Sequence, residues 1–522
     1  MKFYLLKKIK ICMLRFFLIE MSILGPVFLL GQLNPSYATG LETEAKKEVL
    51  SFEDLPKDIV FEILKRLDQQ SFCSMRQTSS FFRNLVFDQD LEGSQFLRAL
   101  RESGDTGVCK TMSFHDFDQR IQKSYKLSAL SLQLNSRQEF DQFFSRPYAN
   151  HFERLSLKLN FIPDHWDDLA RLNHVVVLAL SGGTKKESSP KDLVNQLTKL
   201  KKLKNLVLYE CYIGDQGAKT LGHLKDLESL DVRFNGIGND GAKSIALLDQ
   251  LTDLDLSCNY DLGDQGAKAL SSLKKLKKLG LVNTAIGDEG AKSISELENL
   301  SSLSLRSTQI GDEGARAFVS LKKLMHLELC WTAIGDEGAK FIAMLENLSS
   351  LNLGDTHIGD EGAKALVPLR KLKQLDLYWT AIGDEGARSI AELEHLTSLN
   401  LGDTDIGDEG AKALVSLKRL ERLKIFCTRI SDEGVQSIAE LGNLTELDLG
   451  DTDMGDEGAK ALVSLKKLKI LDLGSSKISS EGAKALVLLE NLTLLKIDAD
   501  CIGAKAVTAF SQCENLCVEY LE

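Results

Sequence analysis

The chain has 522 residues, 43% hydrophobic and 27% charged, with 64 basic against 75 acidic residues and a formal net charge of −11. That length can bury a large core, and the acidic balance argues against nucleic acid as the main partner, because phosphate binding needs a concentrated basic surface. The 10 cysteines stand singly, with no CxxC pair and no histidine cluster, so neither a zinc site nor a disulfide framework is expected and no cofactor is called for.

Residues 1–17, MKFYLLKKIKICMLRFF, are basic and apolar, and 21–31, MSILGPVFLLG, form an uncharged apolar run. Ser36-Tyr37-Ala38 then puts small residues where a signal peptidase reads. Arg15, Glu20 and Pro26 interrupt any span long enough to cross a bilayer, which disfavours a permanent membrane helix. Residues 1–38 are expected to be an export segment cleaved after Ala38, leaving no membrane anchor in the mature form and a secreted protein.

Residues 50–86 open on Asp54-Leu55-Pro56, a turn, followed by a helix in which Ile59, Ile63, Leu64 and Leu67 share a face. The run LPxDIxxEILxRL, then Ser71-Phe72, Arg76-Gln77-Thr78-Ser79 and Phe82-Arg83-Asn84-Leu85, resembles the F-box family. The resemblance implies a small all-α domain over 50–90. Its Leu55, Pro56, Ile59, Ile63, Leu64 and Leu67 would dock on the Skp-type adaptor of a cullin–RING ubiquitin ligase. The same residues also fit a plain amphipathic helix pair that caps a solenoid. Residues 91–124 read as a helical connector with a turn, SGDTG, at 103–107.

From Leu203 the sequence repeats itself. Glycines 217, 241, 266, 290, 314, 338, 362, 386, 410, 434, 458 and 482 are 24 apart, with one step of 25. Between them runs LxxLxLxxT, for example Leu300-Leu303-Leu305-Thr308. The LxL part alternates as a half-buried strand does, and GAKALVSLKKL places Ala363, Leu366 and Leu369 on one helical face. Neither piece buries its apolar side alone, but stacked copies do, with a parallel sheet inside and helices outside. The pattern resembles the leucine-rich-repeat family. Looser copies at Leu127-Leu130-Leu132-Asn135, Phe152-Leu155-Leu157-Asn160 and Val175-Leu178-Leu180, and closing ones at Leu492-Leu495-Ile497 and Leu516-Val518, extend the expected α/β solenoid over 125–522, with regular repeats across 203–500.

Eight DEG triplets lie between Asp288 and Gly458, as in TAIGDEGAK. Neighbouring carboxylates on a turn could form a metal or acid/base site. However, such ligands must converge, and Asp288 and Glu289 diverge on a helix start. The expectation is architecture: Gly287 for a tight exit from the turn, Asp288 as the N-cap of its own helix, Glu289 favourable to the helix dipole, and Gly290 for close packing. The threonines (Thr284, Thr308, Thr332 and onward) stand where many leucine-rich repeats carry Asn, as Asn235 and Asn259 do here; a side-chain ladder to the turning backbone is expected.

Function is sought where the copies differ. Residues before the threonine show a second period of 48: Cys330-Trp331, Gly354-Asp355, Tyr378-Trp379, Gly402-Asp403, Phe426-Cys427 and Gly450-Asp451. Strands ~4.8 Å apart would set Trp331, Tyr378, Trp379 and Phe426 in rows alternating with Asp355, Asp403 and Asp451, the glycines leaving room for a ligand. This set is the candidate target-binding surface; duplication of a two-repeat unit, with the aromatics packed at strand ends, would give the same pattern. Combined with the F-box resemblance, it points to a substrate adaptor of a ubiquitin ligase that joins a Skp-type adaptor to a target protein. The IGxxGAKAL unit is also similar to the GALA class of bacterial effectors, which carry an F-box. The alternative is a secreted leucine-rich-repeat binding or inhibitor protein. No Ser/His/Asp set supports a hydrolase, and Cys513 falls in the closing repeat, so no catalytic residue is expected.

Overall fold

The computed structural model describes residues 129–145, 153–159, 166–182, 191–513 and 515–521. The export-like segment, the region 50–90 with Leu55, Pro56, Ile59, Ile63, Leu64 and Leu67, and the connector 91–124 lie outside the described residues. The chain divides into two compact units, 1–160 and 161–522.

In the first unit, strands Ala129–Leu134 and Arg154–Leu159 pair in parallel, Leu130 opposite Leu155 and Leu132 opposite Leu157. Helix Arg137–Ser145 follows the first strand and buries Phe140, Phe143 and Phe144. Its start is closed by Ser136, whose Oγ accepts from the Glu139 N–H at 3.3 Å, while the Glu139 carboxylate accepts from the Asn135 N–H at 2.6 Å.

In the second unit, every strand from Val177–Gly182 to Cys517–Leu521 pairs in parallel with the next. The register follows the repeat, so Leu303, Leu327, Leu351 and Leu375 stand in one row. The one step of 25 is absorbed after Asn259, at Tyr260, which is 64% exposed, and leaves Leu254 opposite Leu279. Short helices such as Asp288–Ile294 and Asp336–Ile342 lie on the other layer. Between the layers, the strand leucines meet Ile286, Ala291 and Ile294, each 0% exposed, and their buried copies. Phe318 fills the place held by Ile294 and Ile342 in adjacent repeats, and there the helix Asp312–Ala317 passes into a 3-10 turn, Phe318–Ser320.

The GDEG motif is architectural, but its aspartate faces the other way from the sequence reading. Gly287 is the N-cap, with φ −116 and ψ −158, an extended backbone that any residue adopts, and Asp288 is the first helical residue. Asp288 Oδ1 accepts from the backbone N–H groups of Gly311 and Gly314, at 2.8 and 3.0 Å, in the following repeat. A first-turn carboxylate projects sideways, and the next helix start lies alongside with free N–H groups. The pattern is unbroken from Asp215 through Asn239, Asp264 and Asp360 to Asp456. The second glycine is needed for this contact: a Cβ on Gly314 would lie 2.6 Å from Asp288 Oδ1. Gly287, in contrast, has only ordinary contacts around its Cβ position. Serine takes the equivalent place at Ser431 and Ser479, each donating its hydroxyl to the preceding repeat's aspartate at 2.7 Å.

The threonines bond the turning backbone locally. Thr284 Oγ1 donates to the Leu281 carbonyl at 2.7 Å, and Thr308 and Thr356 repeat the bond. A ladder between repeats exists at the asparagines, where Asn259 Oδ1 accepts from Asn235 N and Ile237 N and its amide donates to the Val232 carbonyl. Thr lacks the second polar atom and the reach for this.

The capping geometry sets a test. Asp312→Ala removes the acceptor for Gly335 and Gly338 and is expected to cost about 1 kcal/mol in urea unfolding. Gly338→Ala, which in an ordinary helix interior gains stability, should here cost at least as much, because its Cβ would meet Asp312 Oδ1 at 2.5 Å. The double variant should cost clearly less than the sum; additive losses would contradict the contact.

Candidate functional site

Each strand of the threonine-bearing repeats is followed by a buried leucine or isoleucine, one variable residue, a second variable residue, and then the buried threonine. The second variable residue is left-handed in repeat after repeat: Asn283, Ser307, Trp331, Asp355, Trp379, Asp403, Cys427, Asp451 and Ser475 have φ between 50° and 62°. Its N–H is held by the next repeat, Trp331 N donating to the Gly354 carbonyl at 3.0 Å and Asp355 N to the Tyr378 carbonyl at 2.7 Å. Left-handed backbone suits Asn and Asp among residues with a side chain. That preference accounts for Asp355, Asp403 and Asp451 without invoking a ligand. It does not account for Trp331 and Trp379, which carry a conformational cost of about 1–2 kcal/mol. Nor does burial: they are 46% and 53% exposed.

The candidate residues therefore fall into two rows. Trp331 and Trp379 share the left-handed row with Asp355, Asp403 and Asp451, whereas Tyr378 and Phe426 stand one residue earlier, in line with Cys330, Gly354, Gly402 and Gly450. The glycines were expected to leave room for a ligand, and at two of them the structure fills that room. A Cβ on Gly354 would run into the Tyr378 ring, and one on Gly402 into the Phe426 ring. Both rings are half-buried on the neighbouring repeat. An aromatic residue on one repeat and glycine on the preceding one thus form a packing pair, which explains part of the 48-residue period.

Trp331 and Tyr378 are brought together: the indole N–H donates to the Tyr378 hydroxyl at 2.8 Å. Burial pushes the Tyr378 phenol up, against the lowering effect of the Trp331 bond, so it is protonated at neutral pH. The Arg306 guanidinium lies 5.3 Å from the Trp331 ring centroid. Asp355 is half-buried, and Asp403 and Asp451 are exposed. The Cys427 thiol donates to Asp451 at 3.4 Å.

A third row is one that the sequence reading misses. In several repeats the last residue of the strand folds back onto the turn: Asn352 and Asn400 accept from the N–H of Gly354 and Gly402 at 3.0 and 3.1 Å, and Asp448 and Asp472 do the same for Gly450 and Gly474. The available signal is the recurrence of Asp or Asn two residues before the glycine, the spacing of a side-chain-closed turn. Burial raises the Asp376 and Asp448 carboxyls; in Asp448 the bond from Gly450 opposes this and Asp472 adds to it. At the other end of the unit, Arg233 pairs with Asp231 at 2.7 Å and lies 5.5 Å from the Tyr209 ring centroid.

Burial pushes the Cys330 thiol to about 11, and burial with the Asp451 bond brings Cys427 to about 11, so both are protonated. Among the described residues no group of His, Cys, Asp and Glu could hold a metal ion, and no helix is long and apolar enough to cross a membrane.

A leucine-rich-repeat region model matches residues 251–389, a leucine-rich-repeat model matches 223–246, 392–415, 418–439, 443–463 and 464–487, and an F-box domain model matches 52–92. The chain joins an F-box to leucine-rich repeats. Among solved structures, this F-box leucine-rich-repeat chain is similar to a leucine-rich-repeat protein of Leptospira interrogans, at 22% identity over 77% of this chain and 98% of that one, with a TM-score of 0.49. It is also similar to an internalin from Listeria monocytogenes, at 22% identity over 74% of this chain and 96% of that one, with a TM-score of 0.45. No curated protein matches the chain.

The Asp448 carboxyl offers a pH test. Its raised folded-state pKa means that the ionised form opposes folding at neutral pH and that acidification through the carboxylate range relieves the cost. Asp448→Asn keeps the acceptor, as Asn400 shows. Thermal unfolding should therefore find the variant more stable than wild type at pH 7, the gap closing as pH falls. A gap that widens on acidification would show that the charge is favourable.

Proposed function

We propose that this protein is a substrate-recognition adaptor of a cullin–RING ubiquitin ligase, the F-box holding the Skp-type adaptor and the strand face of the repeats holding a target protein. The observation that carries the reading is the F-box match at 52–92 on the same chain as the repeats. The F-box motif residues are Leu55, Pro56, Ile59, Ile63, Leu64 and Leu67. Target recognition falls to the variable rows, Trp331, Asp355, Trp379 and Asp403 foremost, because the constant positions are committed to capping and core. The protein performs no chemistry of its own in this scheme; tethering two partners on one chain raises the effective concentration of the target near the ligase.

The export-like N-terminus and the GALA-like repeat extend the proposal to a bacterial effector delivered into a host cell. The same N-terminus also supports the second reading, a secreted repeat protein that binds or inhibits a partner without a ubiquitin role.

One capture experiment separates the two. Purified 39–522 should retain a Skp-type adaptor, and Leu55→Ala with Pro56→Ala should abolish retention. A folded protein that does not retain the adaptor would leave only the secreted-binder reading.

A further inference from the structure

The left-handed row contains one tryptophan that is already occupied and one that is not. At Trp331 the ring face is taken by the Arg306 guanidinium at 5.3 Å, and the indole N–H by the Tyr378 hydroxyl at 2.8 Å. Arg306 stands 25 residues before Trp331, in the preceding repeat; the residue 25 before Trp379 is Gly354. The cation that covers the first indole thus has no counterpart at the second. Among the described residues, nothing pairs with the indole N–H of Trp379, and no basic side chain pairs with the carboxylates of Asp355 or Asp403.

Asp355 and Asp403 occupy the same row position one repeat before and one repeat after Trp379. Adjacent strands place them ~4.8 Å to either side at the backbone. The result is an exposed indole between two free carboxylates on a protein of net charge −11. A cation over an indole is attracted by the ring quadrupole, and flanking carboxylates add charge pairing. The left-handed backbone at Trp379 is held by the bond from its N–H to the Gly402 carbonyl, so the indole's mount is fixed before any partner arrives.

We infer that Trp379, Asp355 and Asp403 form a seat for a basic side chain, arginine above all, presented by an extended segment of the target. The internal Arg306–Trp331 pair is the worked copy of the contact. This inference rests on the target-recognition reading of the strand face and gives it a chemical class: the target's recognised segment is basic. Tyr378, Trp331 and Arg306 serve beside it as a pre-packed wall.

The test uses the full chain and a fluorescein-labelled, acetylated peptide of alternating serine and arginine, with fluorescence anisotropy as the readout. The control peptides carry citrulline, the uncharged isostere, or glutamate in place of arginine. The arginine peptide should bind, the citrulline peptide at least about ten-fold more weakly, and the glutamate peptide not at all. Trp379→Asn, which left-handed backbone accepts more readily than Trp, should keep or raise the thermal midpoint while weakening the arginine peptide by about ten-fold. Asp355→Asn with Asp403→Asn should weaken it similarly and flatten its salt dependence. Equal binding of arginine and citrulline peptides, or an arginine affinity untouched by Trp379→Asn, overturns the inference. Adaptor capture by the unsubstituted chain is scored separately, so a chain that retains the adaptor yet ignores arginine keeps the ligase reading and loses this one.

Discussion

The structure of the repeat unit depends on one contact, a carboxylate oxygen shared by two backbone N–H groups of the neighbouring helix. Each helix start would otherwise leave donors without partners. Here the helix before it supplies the acceptor, as Asp288 does for Gly311 and Gly314. The contact dictates its surroundings: the receiving residue must lack a Cβ, which fixes the second glycine of GDEG, and the aspartate must recur at constant spacing. A cap made within one helix stabilises that helix alone. One made across repeats is a nearest-neighbour coupling, the quantity that makes a linear array fold cooperatively.

A second constraint acts on the opposite layer. The residue before each buried threonine is forced into the left-handed region, its N–H tied to the next repeat's carbonyl. Most repeats meet this with Asp, Asn or Ser. Two meet it with an exposed tryptophan, against backbone preference and without gain in burial. Strain of this kind at an exposed aromatic residue is an observation that points toward binding. The aspartates of the same row have a structural sufficiency of their own, and only in combination with Trp379 do they suggest a partner.

Much of this is legible in the sequence, and the failures are informative. The 24-residue period, the LxL strand and the apolar helical face reveal the solenoid, because alternation and helical spacing are local properties. Which helix Asp288 caps is not legible: in a periodic sequence its own repeat and the next offer identical donors, and only the lateral distance decides. The glycines at 354 and 402 look like open space, since a sequence cannot show that Tyr378 and Phe426 lean back over them. The Asp and Asn residues that close the turns, such as Asn352 and Asp448, read as variable strand positions although their spacing to the glycine is visible. The offsets to Thr332 and Thr380 already place Trp331 and Tyr378 in separate rows, but that the row of Trp331 is left-handed is something residue names do not reveal.

The frame and the recognition surface are thus drawn from different positions of one repeat, and the claim that the frame is built between repeats is open to direct measurement. Asp360 accepts from Gly383 at 2.7 Å and Gly386 at 2.9 Å. Native-state hydrogen exchange on Asp360→Ala, read residue by residue, reports which helix start is released. Exchange should accelerate at Gly383 and Gly386 and through helix Asp384–Ile390, leaving helix Asp360–Ala365 protected as in wild type. Acceleration confined to Asp360–Ala365 would mean that the aspartate caps its own helix and would contradict the account.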